Sequence, residues 1–144
     1  MNNTEIRVLT EEQILQEPED NYMDDSQLAF FKQKLIDLYE STSHHIQAAR
    51  EEMGHTADAS DLSDVSDRAT LEEQSGIALR IVEREQKLLP KIKLALERIR
   101  LGNYGYCFES GEPIGIPRLL IRPTAEYSAD VKSLMEMKEI QYKD

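Results

Sequence analysis

Two carboxylates three positions apart, Asp64 and Asp67, are the residues whose spacing most suggests chemistry. On a helix that spacing puts both on one face. They also suit an ordinary helix start, where Ser63 and Ser66 would join them near the positive end of the dipole. Cys107 is the one cysteine. No histidine or basic residue with a role defined by the sequence accompanies it, so it reads as a small buried side chain rather than a nucleophile. His44, His45 and His55 lie far from it in sequence. No glycine-rich phosphate loop and no nucleophile–base pairing appears. The expectation is a protein that is not an enzyme.

The elements that would carry these residues are helical. Residues 1–23 form an N-terminal segment with a short helix within Glu5–Glu17, which Pro18 and Asp20-Asn21 end. From Asp24, residues Leu28, Phe31, Leu35, Leu38, Thr42, Ile46, Ala49 and Met53 recur three or four apart, the signature of one helix face. Asp24, Asp25 and Ser26 are cap candidates and Gly54 a C-terminal stop. About 30 residues make a helix of about 45 Å. The polar, acidic stretch 54–66 reads as a loop. A second stripe follows at Ile77, Ile81, Leu88, Ile92, Ala95 and Ile99, with Arg84 in one slot as a solvated side chain. Pro90 inside it predicts a kink. Residues 24–100 are therefore expected to form a long antiparallel coiled-coil hairpin with an acidic tip at about 54–70.

Residues 101–125 lose that period. Tyr104-Gly105-Tyr106-Cys107-Phe108 and Ile114-Gly115-Ile116 flank Ser110-Gly111-Glu112-Pro113, which reads as a short β-hairpin in a small globular domain. A C-terminal helix over 126–144, starting near Ala125, completes a mainly α chain.

Bulk properties limit partners. The net charge of −11 repels phosphate backbones and argues against autonomous DNA binding. The N-terminus lacks an apolar leader and no stretch reaches about 18 apolar residues, so the expectation is a cytoplasmic monomer that touches no membrane.

The run Tyr104-Gly105-Tyr106-Cys107, then Gly111, Ile114-Gly115-Ile116, Arg118-Leu119 and Arg122-Pro123-Thr124-Ala125, resembles the zinc-finger region of the DksA/TraR transcription factors. Asp64-Val65-Ser66-Asp67-Arg68-Ala69 resembles that family's Asp-x-x-Asp-x-Ala hairpin tip. Tyr22-Met23-Asp24-Asp25 with Gln27-Leu28-Ala29 resembles the start of its first helix. The resemblance runs from Tyr22 to the C-terminus. It implies a regulator that binds RNA polymerase in its secondary channel and, with ppGpp, alters open-complex stability at stringently controlled promoters. It places Asp64, Asp67 and Ala69 near the polymerase active site, and assigns Lys91, Arg122 and Lys132 to ppGpp, whose pyrophosphates suit clustered cations.

One departure stands out. The family's finger repeats Cys-x-x-Cys, whereas the four ligand positions here hold Cys107, Ser110, Ser128 and Val131. One thiolate with two hydroxyls and a valine does not build a tetrahedral zinc site. The expectation is a zinc-free member with no bound cofactor, its finger held by packing of Tyr104, Tyr106, Phe108, Ile114, Ile116, Leu119 and Ile121 against Tyr127, Val131 and Leu134. Two rivals remain. One is a transcript-cleavage factor of the same channel, whose tip acids hold a metal ion. The other is a helical adaptor whose tip acids are structural.

Overall fold

The computed structural model describes residues 5–59 and 65–142, with the side chains of 56–59, 65, 66 and 142 left aside. The chain divides into two compact units, Met1–Leu35 with Leu94–Asp144, and Ile36–Lys93. The element order is α1 (Glu11–Gln16), a 3-10 turn (Glu19–Asn21), α2 (Asp25–Ala59), α3 (Val65–Leu101), α4 (Ile116–Ile121) and α5 (Ala129–Tyr142). The two long helices run from one unit into the other.

Local sequence explains where each helix starts. Thr10 caps α1, taking the Gln13 amide while the Gln13 side chain takes the Thr10 amide. Asp24 and Gln27 repeat the device at α2. The Gln27 amide donates to Asp24 Oδ1 at 2.9 Å, and the Met23 amide donates to Gln27 Oε1 at 2.9 Å. At α5 the Ser128 hydroxyl accepts the Val131 amide at 3.3 Å, which sets the start at Ala129 rather than near Ala125. Gly54 does not stop α2, which continues to Ala59. No left-handed turn forms there, and a lone helical glycine costs only about 1 kcal/mol relative to alanine. Pro90 lies within α3, which is continuous around it.

In the unit Ile36–Lys93 the two long helices form a hairpin. Ala49 of α2 packs with Ala78 and Val82 of α3, flanked by Met53 and Ile81. Lys93 Nζ lies 5.9 Å from the centre of the Tyr39 ring, and His45 Nδ1 lies 3.6 Å from a Glu85 oxygen. Rising numbers on α2 meet falling numbers on α3, so the pair is antiparallel. The α2 stripe falls where its period places it, with Phe31, Leu35, Thr42, Ile46 and Ala49 buried. The α3 stripe holds at Ile92 and Ala95, both buried, and slips only at its start. Ile77 is 45% exposed while Ala78 is 4% exposed. Small residues let the two backbones approach, so bulk alone misleads about which face is inside.

The other unit is built on Ile14, Phe31, Leu35, Ala95, Tyr104, Cys107, Ile114, Leu119 and Ala125, all buried. Its core includes Phe31 and Tyr104 with ring centres 5.6 Å apart. The Tyr104 hydroxyl donates to the Pro123 carbonyl at 2.7 Å. The helix α4 was not foreseen. Pro117 in its first turn and Leu119 on its inner face account for it. Conversely, the expected β-hairpin reduces to a single antiparallel bridge between Tyr106 and Pro113. Cys107 N to Glu112 O and Ile114 N to Gly105 O, both 2.8 Å, flank that pair, and the ladder ends where the Gly111 amide turns back to Cys107 O. The expected packing cluster is also smaller than drawn. Ile121 is 88% and Leu134 59% exposed, and half-exposed Phe108 sits at its edge.

Candidate functional site

At the hairpin end, Asp67 lies in the first turn of α3, and Asp67 and Ala69 are both exposed. Asp64 lies outside the described residues. The tip acid that is described therefore faces solvent, with no partner among the described residues to neutralise it.

Of the three cations assigned to a nucleotide, Lys91 is exposed in the hairpin unit. Arg122 and Lys132 belong to the other unit. Arg122 is exposed at the end of α4, its amide donating to Arg118 O at 2.9 Å. Lys132 is half-exposed in the first turn of α5. The Arg118 side chain is committed elsewhere, its Nε donating to Tyr127 O at 3.1 Å. That leaves Arg122 as the open guanidinium of the segment.

Sequence reasoning missed that Lys91 ends a row. Arg80, Arg84, Lys87 and Lys91 are spaced four, three and four apart, and all four are exposed. At 3.6 residues per turn they form one cationic strip along α3. Arg84 Nη2 approaches Glu85 Oε1 at 3.5 Å but stays largely in water. The signal was available in the spacing. It was obscured because Arg84 was read as an interruption of an apolar stripe.

The finger segment brings three of its four degenerate ligand positions together. Cys107 is buried. Burial works against ionisation of its thiol, but the Ser110 hydroxyl and the amides of Ser110, Ser128 and Glu109 donate to it and bring its pKa to about 6. The turn is closed by Cys107 N to Glu112 O at 2.8 Å and Gly111 N to Cys107 O at 2.9 Å. Beside it lies Arg98, a buried cation the sequence reading passed over in favour of Ile99. Its Nη2 donates to Asn103 O and Tyr106 O at 2.8 Å each, and its guanidinium stacks 4.1 Å from the Phe108 ring centre. Arg98 follows Ile92 and Ala95 by threes, so its inward position was legible. Tyr22 was also missed as a binding element. Its hydroxyl donates to Gly105 O at 2.6 Å and accepts Gly115 N at 2.9 Å, fastening both ends of the finger's first loop.

The chain thus has two parts, a long helical hairpin and a small unit with a cysteine-bearing finger. Residues 27–99 match the family model described as DnaK suppressor protein DksA, N-terminal domain, and residues 102–134 match that of the prokaryotic dksA/traR C4-type zinc finger. The chain belongs to the DksA/TraR family. It is 39% identical over 139 residues to the RNA polymerase-binding transcription factor DksA of Caulobacter vibrioides, covering 95% of this chain and 96% of that one. It is 35% identical to the Escherichia coli K12 protein of the same name, over 88% of this chain and 82% of that one. Among solved structures it is similar to the transcription factor DksA2 from Pseudomonas aeruginosa, with TM-score 0.75, 42% identity and coverage of 90% and 98%.

The second of these matches corrects the expectation that zinc is absent. A C4-type zinc finger model fits residues 102–134, and this points to zinc binding. The expectation rested on the identity of four ligand positions, whereas the family model reads the whole frame of the finger. That frame is kept here, with Cys107, Ser110 and Ser128 converging. The side chains present do not supply the four cysteines of such a site. Among the described residues no group of three His, Cys, Asp or Glu is placed to hold a metal ion. Also among the described residues, no helix is long and apolar enough to cross a membrane.

Proposed function

We propose that this protein is a non-enzymatic transcription regulator that binds RNA polymerase. The observation that carries the reading is similarity along most of both chains: relatives named RNA polymerase-binding transcription factor DksA align over 82–96% of their own length. The reading extends to a monomer whose hairpin enters the secondary channel, with Asp64, Asp67 and Ala69 near the active site. Lys91, Arg122 and Lys132 are the proposed contacts for ppGpp. The exposure of Asp67 and Ala69 supports the first role, and the exposure of Lys91 and Arg122 supports the second. Regulation of this kind is a population shift, so the factor must bind two polymerase states with different affinity.

The test is transcription in vitro from a ribosomal RNA promoter with and without ppGpp, alongside polymerase co-purification. Asp67→Asn keeps size and capping capacity but removes charge. It should lose most of the transcriptional effect while still binding polymerase, and a fully active variant would remove Asp67 from the site. Lys91→Ala and Arg122→Ala should each weaken the ppGpp response while sparing activity without it. Each removes a charge-assisted contact of about 1.5–3 kcal/mol. A ppGpp response unchanged in both variants refutes the nucleotide assignment.

A further inference from the structure

Met23 has φ 55°, the only non-glycine residue of positive φ among the described residues. Its backbone is held there from both sides. The Met23 amide donates to Gln27 Oε1, and the Asp24 amide donates to Asn21 O at 2.9 Å. The side chain is thereby aimed at Gly105, itself at φ 91°. A β-carbon on Gly105 would lie 2.8 Å from Met23 Cγ, 2.9 Å from Sδ and 3.1 Å from Cε. The end of the Met23 side chain thus fills the space that a side chain on Gly105 would need. The same glycine's carbonyl takes the Tyr22 hydroxyl, and the Tyr22 ring meets Tyr106 edge-on at 5.6 Å. The turn ahead of α2 is joined to the finger at this point by one sulfur contact and one hydroxyl.

We propose that Met23 is an oxidation-sensitive latch between the start of α2 and the finger, and that peroxide is the modifying reagent. The residue is half-buried and not sealed off, so a small oxidant can reach it. One oxygen atom passes from hydrogen peroxide to Sδ. The O–O bond breaks, an S–O bond forms, the sulfide is oxidised to sulfoxide, and the peroxide is reduced to water. The product is polar and chiral. In one epimer the new oxygen faces Gly105, where there is no room for it. In either epimer the soft apolar surface that matched the glycine is gone. Met53, Met135 and Met137 lack this constraint. Met53 sits on a regular helix, and the other two are exposed on α5. The inference does not depend on polymerase binding.

The experiment treats the full-length chain with hydrogen peroxide, re-reduces Cys107 with dithiothreitol, and follows each methionine by peptide mass mapping. Conversion of Met23 should lower the melting temperature by about 2–4 °C and speed tryptic cleavage in the finger. Methionine sulfoxide reductases of both stereospecificities should restore both. Met23→Leu, similar in size and without sulfur, should lose less melting temperature on treatment than the native chain, the remaining loss being that of Met53 against the hairpin core. Met23 remaining reduced after Met135 and Met137 are fully converted would overturn the proposal. So would an unchanged melting temperature once Met23 is converted. Where Met23→Leu is itself poorly folded, repair of the oxidised native chain by the reductases decides the question.

Discussion

At the residue scale, the finger's geometry depends on glycines whose reasons differ. Gly105 and Gly111 both have positive φ, at 91° and 71°. A side chain at Gly105 meets Met23, whereas nothing lies within 4 Å of one at Gly111. Alanine at Gly111 should therefore cost only the backbone penalty, about 1–2 kcal/mol. Alanine at Gly105 should add an overpacking cost of about 1–3 kcal/mol. Thermal melts of the two variants check the ordering, and equal losses would mean that the Met23 contact is not tight. Arg98 belongs to the same scale. Burial pulls its guanidinium below the usual value, an effect that nearby Glu126 opposes. Two carbonyls and an aromatic face make its inward position tolerable.

At the element scale, the N-terminal arm is clasped to the turn before α2. The Arg7 guanidinium donates to Glu17 at 2.9 and 3.2 Å and reaches Asp24 at 3.4 Å, while the Arg7 amide donates to Ser26 Oγ at 2.9 Å. The hydrogen bond from Arg7 is the largest of the effects that hold the Glu17 carboxyl below its ordinary value. A depressed carboxylate contributes stability above its unfolded pKa, about 4.3, and loses it as pH falls through the lower folded value. Arg7→Ala should accordingly melt below the native chain at neutral pH, with the difference shrinking below about pH 4. Melting curves from neutral pH into acid provide the check, and a pH-independent difference would assign the loss to packing. Placing α1 in this way also brings it against α4, with buried Ile14 and Leu119 on the two helices.

At the scale of the whole molecule, charge decides the kind of partner. The chain carries 28 acidic against 17 basic residues, so a nucleic acid backbone is repelled overall. Four of those cations are nevertheless lined up at 80, 84, 87 and 91 on exposed α3. Such a strip suits an acidic protein surface better than a duplex. Gel mobility of duplex DNA should be unaffected by the protein even at low salt. Association with polymerase should weaken as salt rises, and Arg84→Glu should weaken it further. Retardation of DNA, or polymerase binding indifferent to both changes, would contradict this division of charge.

The sequence by itself determined the long helices, the antiparallel pairing and the family, because an apolar stripe thirty residues long admits few alternatives and the finger's glycines and prolines sit at fixed offsets. It also named Asp67, Lys91 and Arg122, which are exposed, and Asp64, which lies outside the described residues. What it left open depended on contacts between distant segments. Ala78 rather than Ile77 faces α2 because backbone approach favours the smaller residue. The bridge at Tyr106–Pro113 stays single because the Gly111 amide closes a tight turn on Cys107 O where the ladder would continue. Tyr22 and Gly105 are 83 positions apart, and no local pattern joins them. The ligand positions show the limit in the other direction. Their identities argued for a missing metal, while the finger frame around Cys107 matches a zinc-binding family. Local chemistry fixes what a side chain can do, and tertiary structure decides what it meets.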